Sequence, residues 1–226
     1  EKGVIETAEG SCRVKIGDTE VIVGVKLMVD KPFPDSPNEG ILMVGAELIP
    51  LASSEFESGP PDDHAIEIAR IIDRGLRESK IIDTEKLCIQ PGEKVWLVSI
   101  DIVPINDDGN LIDAAGLGAL IALQQAVFPK LEGDNVAYRE ERTKEKLPLR
   151  KRAPLPITVF KVGDVFLVDP TKEEEANYDS RLTVCVTEND TICAMQKGGE
   201  VGLSQEDIMK MVDIAIEKSK VFRKYL

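Results

Sequence analysis

"V-K-I-G-D-T-E-V-I-V" at residues 14–23 and "F-K-V-G-D-V-F-L-V-D" at residues 160–169 are two versions of one pattern. Each sets a β-rich run, a Gly-Asp pair and a second β-rich run in line, the order of a two-residue hairpin. Its recurrence predicts a chain of two related β-rich halves. The first is expected over residues 1–130 and the second over 153–226, with a charged connector at 131–152.

Other local signals fill in the first half. "D-K-P-F-P-D-S-P-N-E-G" at 30–40 is a proline-rich loop, and an apolar run at 41–49 predicts a strand. "E-S-G-P-P-D-D-H" at 57–64 places prolines and acids just before Ala65, as a helix start requires. Ala65, Ile68, Ala69, Ile72 and Leu76 then form an apolar stripe, while Arg70, Arg74 and Arg77 follow i, i+4, i+7 spacing on another side. "K-V-W-L-V-S-I-D-I-V-P-I" at 94–105 predicts a buried strand, with a turn at "D-D-G-N", 107–110. "A-A-G-L-G-A-L-I-A-L-Q-Q-A-V-F" at 114–128 predicts an interior helix whose small residues let neighbouring elements come close.

In the second half, strands are predicted near 157–162, 165–169, 181–187 and 191–196, followed by the turn "K-G-G-E-V-G". Ser204 and Asp207 make a capping-box-like start for a last helix with Ile208, Met211, Val212, Ala215 and Phe222 on its apolar side. Helices set apart from mostly antiparallel strands indicate an α+β fold.

Composition narrows the function. The 226 residues, 42% of them hydrophobic, suffice for a sizeable core, and no apolar run approaches the ~20 residues that cross a bilayer, so a membrane protein is not expected. Nothing in the sequence resembles a secretion signal, and a cytoplasmic location is expected. Cys12, Cys88, Cys185 and Cys193 lack C-x-x-C spacing, which favours reduced thiols over disulfides or a metal site. A net charge of −13 repels nucleic acid, so any contact with a polyanion must be local or shared with a basic partner.

With His64 the only histidine, His-dependent catalytic triads and metal sites have little to work with, and P-loop, dinucleotide and G-x-S-x-G motifs are missing. Acidic groups remain as candidates. "D-P-T-K-E-E-E" at 169–175 has the composition of a divalent-cation loop or of a solvated loop after a strand, and "D-D-G-N" that of an ordinary turn. Residues 139–152 carry seven Lys or Arg against three Glu, which suits an exposed connector or a nucleic-acid contact. On the arginine helix, Glu67–Arg70, Asp73–Arg77 and Arg74–Glu78 have ion-pair spacing, worth about 0.2–0.5 kcal/mol each. By spacing alone, the arginine row is a solvated face.

Five segments together resemble the RNase PH family: "E-G-S-C-R-V-K-I-G-D-T-E-V-I-V-G-V-K" (9–26), "A-E-L-I-P-L-A" (46–52), "G-P-P-D-D-H-A-I-E-I-A-R-I-I-D-R-G-L-R-E-S" (59–79), "D-D-G-N-L-I-D-A-A" (107–115) and "A-M-Q-K-G-G" (194–199). Within that family they are most similar to the catalytically silent RNase PH-like subunit of the archaeal exosome ring. The resemblance covers nearly the whole chain and implies a fold of two halves like ribosomal protein S5 domain 2. Family members carry an Asp-Gly-Arg segment before the first hairpin, so Glu1 is expected to follow such a segment.

The resemblance also implies losses. Where active members hold phosphate in a Gly-Gly-Thr/Ser-Arg turn, this chain has Gly109, Asn110, Leu111 and Ile112, and where they place an RNA-gripping Arg-Arg pair it has Asp63 and His64. The family's carboxylate pair, six residues apart, appears as Asp169 and Glu175. The implied role is therefore a non-catalytic subunit with no catalytic residues, metal ligands or cofactor of its own. It would alternate with a catalytic RNase PH-like subunit in a hexameric ring, a trimer of dimers, that degrades RNA from the 3′ end by phosphorolysis. Inorganic phosphate, with or without a divalent metal, would sit at the partner's site, and RNA-binding cap proteins and single-stranded RNA complete the implied partners. Arg70 and Arg74 match residues that contact RNA phosphates, and Arg77 is their neighbour. The competing expectations are an exoribonuclease in its own right that uses Asp169 and Glu175, and a purely architectural ring member.

Overall fold

The computed structural model describes residues 1–133, 135–138 and 142–226. The first hairpin forms as expected. β1 (Gly10–Ile16) and β2 (Thr19–Asp30) pair antiparallel with Ile16 opposite Thr19, and Gly17 closes the turn at φ 57°. The second hairpin repeats this geometry, with Val162 opposite Val165 and Gly163 again at φ 57°. A side chain at either glycine would meet the left-handed penalty.

β3 (Ile41–Ala46), α1 (Asp63–Ser79), β4 (Cys88–Gln90), β5 (Lys94–Asn106) and α2 (Leu111–Gln125) complete the first half. Its sheet runs β1-β2-β5-β3, with β4 also on β5. β3 is parallel to β5, in contrast to the antiparallel pairs around it. Parallel neighbours need a long crossover, and α1 supplies it. A short ribbon, β6 (Leu131–Glu132) with β7 (Asn135–Val136), follows.

The second sheet is antiparallel throughout, in the order β11-β10-β8-β9, from β8 (Leu155–Val162), β9 (Val165–Val168), β10 (Ser180–Val186) and β11 (Ile192–Gly198). α3 (Lys172–Glu175) is a single turn between β9 and β10, and α4 (Gln205–Phe222) starts at the predicted box, with Ser204 accepting from the Asp207 amide. Leu182, Val184 and Val186 face Met211, Val212 and Ala215 of α4, whereas Cys185 lies against Gly75 of α1. The period-2 alternation of β10 thus serves two helical layers.

α1 and α2 lie between the sheets: α2 packs on β1, β2 and β8, and α1 on β3 and β11. α2 is apolar all round and its residues 111–123 are buried, as befits a helix enclosed on several sides. A Cβ at Gly116 would stand 2.1 Å from Pro156 Cγ of β8, and one at Gly118 2.7 Å from Val23 Cγ2 of β2. The two missing side chains face opposite sheets and let both close on the helix.

The connector is more firmly seated than its charge suggests. Lys144, Glu145 and Lys146 are exposed, but Phe128 N donates to Glu145 O at 2.8 Å, Asp83 N to Pro148 O at 2.9 Å and Arg150 N to Ile81 O at 2.7 Å. Leu147 is buried and Arg150 pairs with Asp83 at 3.1 Å. Of the predicted connector, Asp134, Arg139, Glu140 and Glu141 lie outside the described residues. All four cysteines are free thiols, and among the described residues no helix is long and apolar enough to cross a membrane.

Replacing Gly116 by alanine should raise intrinsic helix propensity by about 1 kcal/mol yet lower stability by about 1–3 kcal/mol, because the methyl group collides with Pro156. Urea unfolding of the variant checks the sign.

Candidate nucleic-acid interface

α1 is fixed at both ends. The Asp62 carboxylate accepts from the Ala65 amide at 2.8 Å, and Lys80 ends the helix in the left-handed region. Ala65, Ile68, Ile71, Ile72 and Leu76 are buried, including Ile71, which the predicted stripe lacked, while Ala69 is only partly covered. Arg70, Arg74 and Arg77 are exposed on the opposite side.

The three arginines do not have equal partners. Arg77 grips Asp73 with two contacts, Nη2–Oδ1 at 2.6 Å and Nε–Oδ2 at 3.1 Å, and also donates to the Leu42 carbonyl of β3 at 3.1 Å. That hydrogen bond to Asp73 raises the Arg77 pKa. Arg74 reaches Glu78 only at 3.8 Å. The Glu67–Arg70 pair permitted by spacing is not formed: Glu67 Oε2 is instead 2.5 Å from Nη2 of Arg181, on β10. Among the described residues, no carboxylate lies within ion-pair reach of Arg70. The free positive charge of the row is therefore concentrated at Arg70 and Arg74.

Beside the start of α1 lies the turn that precedes α2. Asn110 is buried at φ 58°, ψ 34°; its backbone N–H donates to Glu175 Oε2 at 2.9 Å and its side-chain Nδ2 to Asp169 Oδ1 at 2.8 Å. Asp169 and Glu175 are thus brought together, as acceptors for one asparagine. Burial raises the Glu175 pKa, opposed by the bond from Asn110 N. Leu111 and Ile112 point into the core at 3% exposure each, so neither offers anything to an anion. An amide donor at the helix start is already occupied by the protein's own carboxylate.

Charge around the turn acts in the same direction. A cleft of about 400 Å³ between the start of α1 and α3 is lined by Glu55, Asp63, Glu67, Asp107 and Glu175 against the cations Lys172 and Arg181. Lys172 is itself held by Asp107 at 3.0 Å and Glu55 at 3.1 Å. Phosphate would meet more carboxylates than cations here, so the residues present do not fit it. Nor do Asp169 and Glu175 form a metal cluster: one oxygen of each accepts from Asn110, and among the described residues no three ligating side chains converge.

Asp113, in the first turn of α2, escaped the sequence reading. It is 2% exposed and accepts from both the backbone N (3.1 Å) and Oγ1 (2.8 Å) of Thr158, whose hydroxyl also meets Thr183 at 2.9 Å. The group ties α2 to the second sheet. Arg181 was also missed, although a lone arginine in the apolar run "S-R-L-T-V-C-V" was a signal that it needed a buried partner.

Burial pushes the Asp113 carboxyl up to about 7, with Thr158 pulling it down and Asp169 and Glu175 adding to the rise. Unfolded, it titrates near its ordinary 3.8, so between that value and about 7 folding takes up a proton and stability falls as pH rises. The penalty is fully present above about 7 and absent below 3.8. Asp113→Asn should remove this contribution, so the stability difference between parent and variant should shift in the variant's favour as pH rises from 4 to 7. Denaturant unfolding at several pH values measures it.

Comparison with known proteins agrees with this architecture. The model described as "3′ exoribonuclease family, domain 1" matches residues 1–129, and "domain 2" of the same family matches residues 153–218. The chain is 46% identical to exosome complex component Rrp42 of Methanothermobacter thermautotrophicus, covering 100% of this chain and 83% of the relative. It is 48% identical to the component of that name from Methanopyrus kandleri, over 98% of this chain and 83% of the relative. Among solved structures, a chain of the Archaeoglobus fulgidus exosome with RNA bound to the active site superposes with a TM-score of 0.91 at 44% identity, covering 99% of this chain and 85% of that one. Two matched domains and full-length kinship make the conclusion plain: the chain belongs to the RNase PH family of 3′ exoribonucleases.

Proposed function

We propose that this chain is a non-catalytic RNase PH-fold subunit of an exosome, alternating with a catalytic RNase PH-like partner in a hexameric ring, a trimer of dimers, for 3′-to-5′ phosphorolytic RNA degradation. The observation that carries the reading is the turn before α2, where Glu175 takes the Asn110 amide and Leu111 and Ile112 turn into the core. Phosphorolysis needs the attacking anion held beside the RNA end, and this turn offers it a carboxylate and two aliphatic side chains. Inorganic phosphate and any divalent metal then belong to the partner's site. The names of the relatives and the RNA-bound neighbour support exosome membership.

In this reading Arg70 and Arg74 project into the RNA path at the contact with the partner. Guanidinium stays charged and holds phosphate oxygens with a bidentate fork, each such contact contributing about 1.5–3 kcal/mol. Two contacts cannot overcome the field of a chain of charge −13, so RNA binding emerges on assembly. RNA-binding cap proteins would feed the ring, in the cytoplasm.

Incubated alone with RNA and phosphate, the chain should release no nucleoside diphosphates; mixed with the catalytic partner, it should yield an active complex of hexameric mass. Vigorous phosphorolysis by the isolated chain, abolished by Asp169→Asn, would overturn the proposal in favour of an enzyme in its own right. In the assembled ring, Arg70→Glu with Arg74→Glu should weaken binding of single-stranded RNA by about tenfold or more, given the strength of charge-assisted contacts. Unchanged affinity would leave a purely architectural subunit.

A further inference from the structure

Arg70 stands in an acidic neighbourhood yet, among the described residues, has no acidic partner. Glu67 precedes it by three residues and Asp73 follows it by three, both close enough along a helix to pair with it. Each is held by another arginine. Asp73 is clasped by Arg77 with contacts of 2.6 and 3.1 Å, and Arg77 is braced in turn on the Leu42 carbonyl. Glu67 is taken by Arg181, which reaches across from the second sheet and is 6% exposed in its side chain. The approach of Arg181 depends on Gly198 of β11, where a Cβ would stand 2.7 Å from the guanidinium carbon. Arg74, by contrast, has its nearest carboxylate at 3.8 Å.

We propose that Arg77 and Arg181 are positioning residues that withhold Asp73 and Glu67 from Arg70, leaving its guanidinium open to an RNA phosphate. This rests on the RNA-contact reading above and changes the part given to Arg77: it acts on Asp73, while Arg70 meets the phosphate. An arginine whose fork is filled by a carboxylate must surrender that partner before it can take a phosphate. The two neighbouring arginines carry that cost in advance, in the folded chain.

The test uses the ring assembled with its catalytic partner, without phosphate, and a single-stranded RNA probe. Arg77→Gln should weaken RNA binding about threefold, because the released Asp73 turns to Arg70, and should lower the salt dependence by about 0.7, the share of one phosphate contact on a single strand. Adding Asp73→Asn should restore both affinity and salt slope. A second arm uses Arg181→Gln, expected to cost about tenfold from its more buried site, with restoration by Glu67→Gln. The Arg77 arm lies on the surface and reads out even if Arg181→Gln impairs folding. If Arg70→Gln weakens binding but Asp73→Asn fails to rescue Arg77→Gln, Arg77 touches RNA itself and this proposal falls alone. If Arg70→Gln changes nothing, the RNA-contact reading falls and takes this one with it.

Discussion

Everything in this molecule is arranged around the enclosure of α2. A helix with no polar side can be stable in water only if it is covered from several directions, and here one sheet closes on Val23 and Gly118 while the other closes on Gly116 and Pro156. The close fit fixes the distance between the sheets. It also fixes where the helix begins, and hence the turn at Asn110, the placement of Leu111 and Ile112 in the core, and the anchoring of Asp113 on Thr158. The same gap between sheets accommodates α1, so the arginine face is aimed by the packing that buries α2.

The site is best understood as a redistribution of partners. Each local charge has more than one possible counterpart, and the fold decides among them. Glu175 goes to the Asn110 amide, Lys172 to Asp107 and Glu55, Glu67 to Arg181 and Asp73 to Arg77. What remains is a turn whose Asn110 amide is taken by a carboxylate and an exposed helix face with two lightly held guanidinium groups. A net charge of −13 and the proposed contact with RNA phosphate are compatible because the charge that matters is the part left without an internal partner.

Much of the fold was legible because its determinants are local. The Gly-Asp turns, the acids and prolines before α1 and the Ser204 box all act within a few residues, and they set the hairpins and helix starts where the structure has them. Three features were not legible, for one reason. β3 turned out parallel to β5, the connector is tied by its backbone to Ile81 and Asp83, and Glu67 pairs with a residue 114 positions away. All three depend on which distant segments the fold brings together, whereas helical spacing ranks only neighbours. Asp169 and Glu175 were visible as a pair, but their employment by Asn110 follows from its left-handed backbone, which no periodicity reports.

The internal duplication has a consequence for cooperativity. Ala153 and Leu155, from the second half, belong to the same continuous core as Val21, Val23 and Leu120 of the first, while the α4 side of the second sheet has a cluster of its own. Two similar hairpins are thereby built into one shared core. Melting either half would strip α2 of one of its walls, so the chain should unfold as one body even though its sequence repeats.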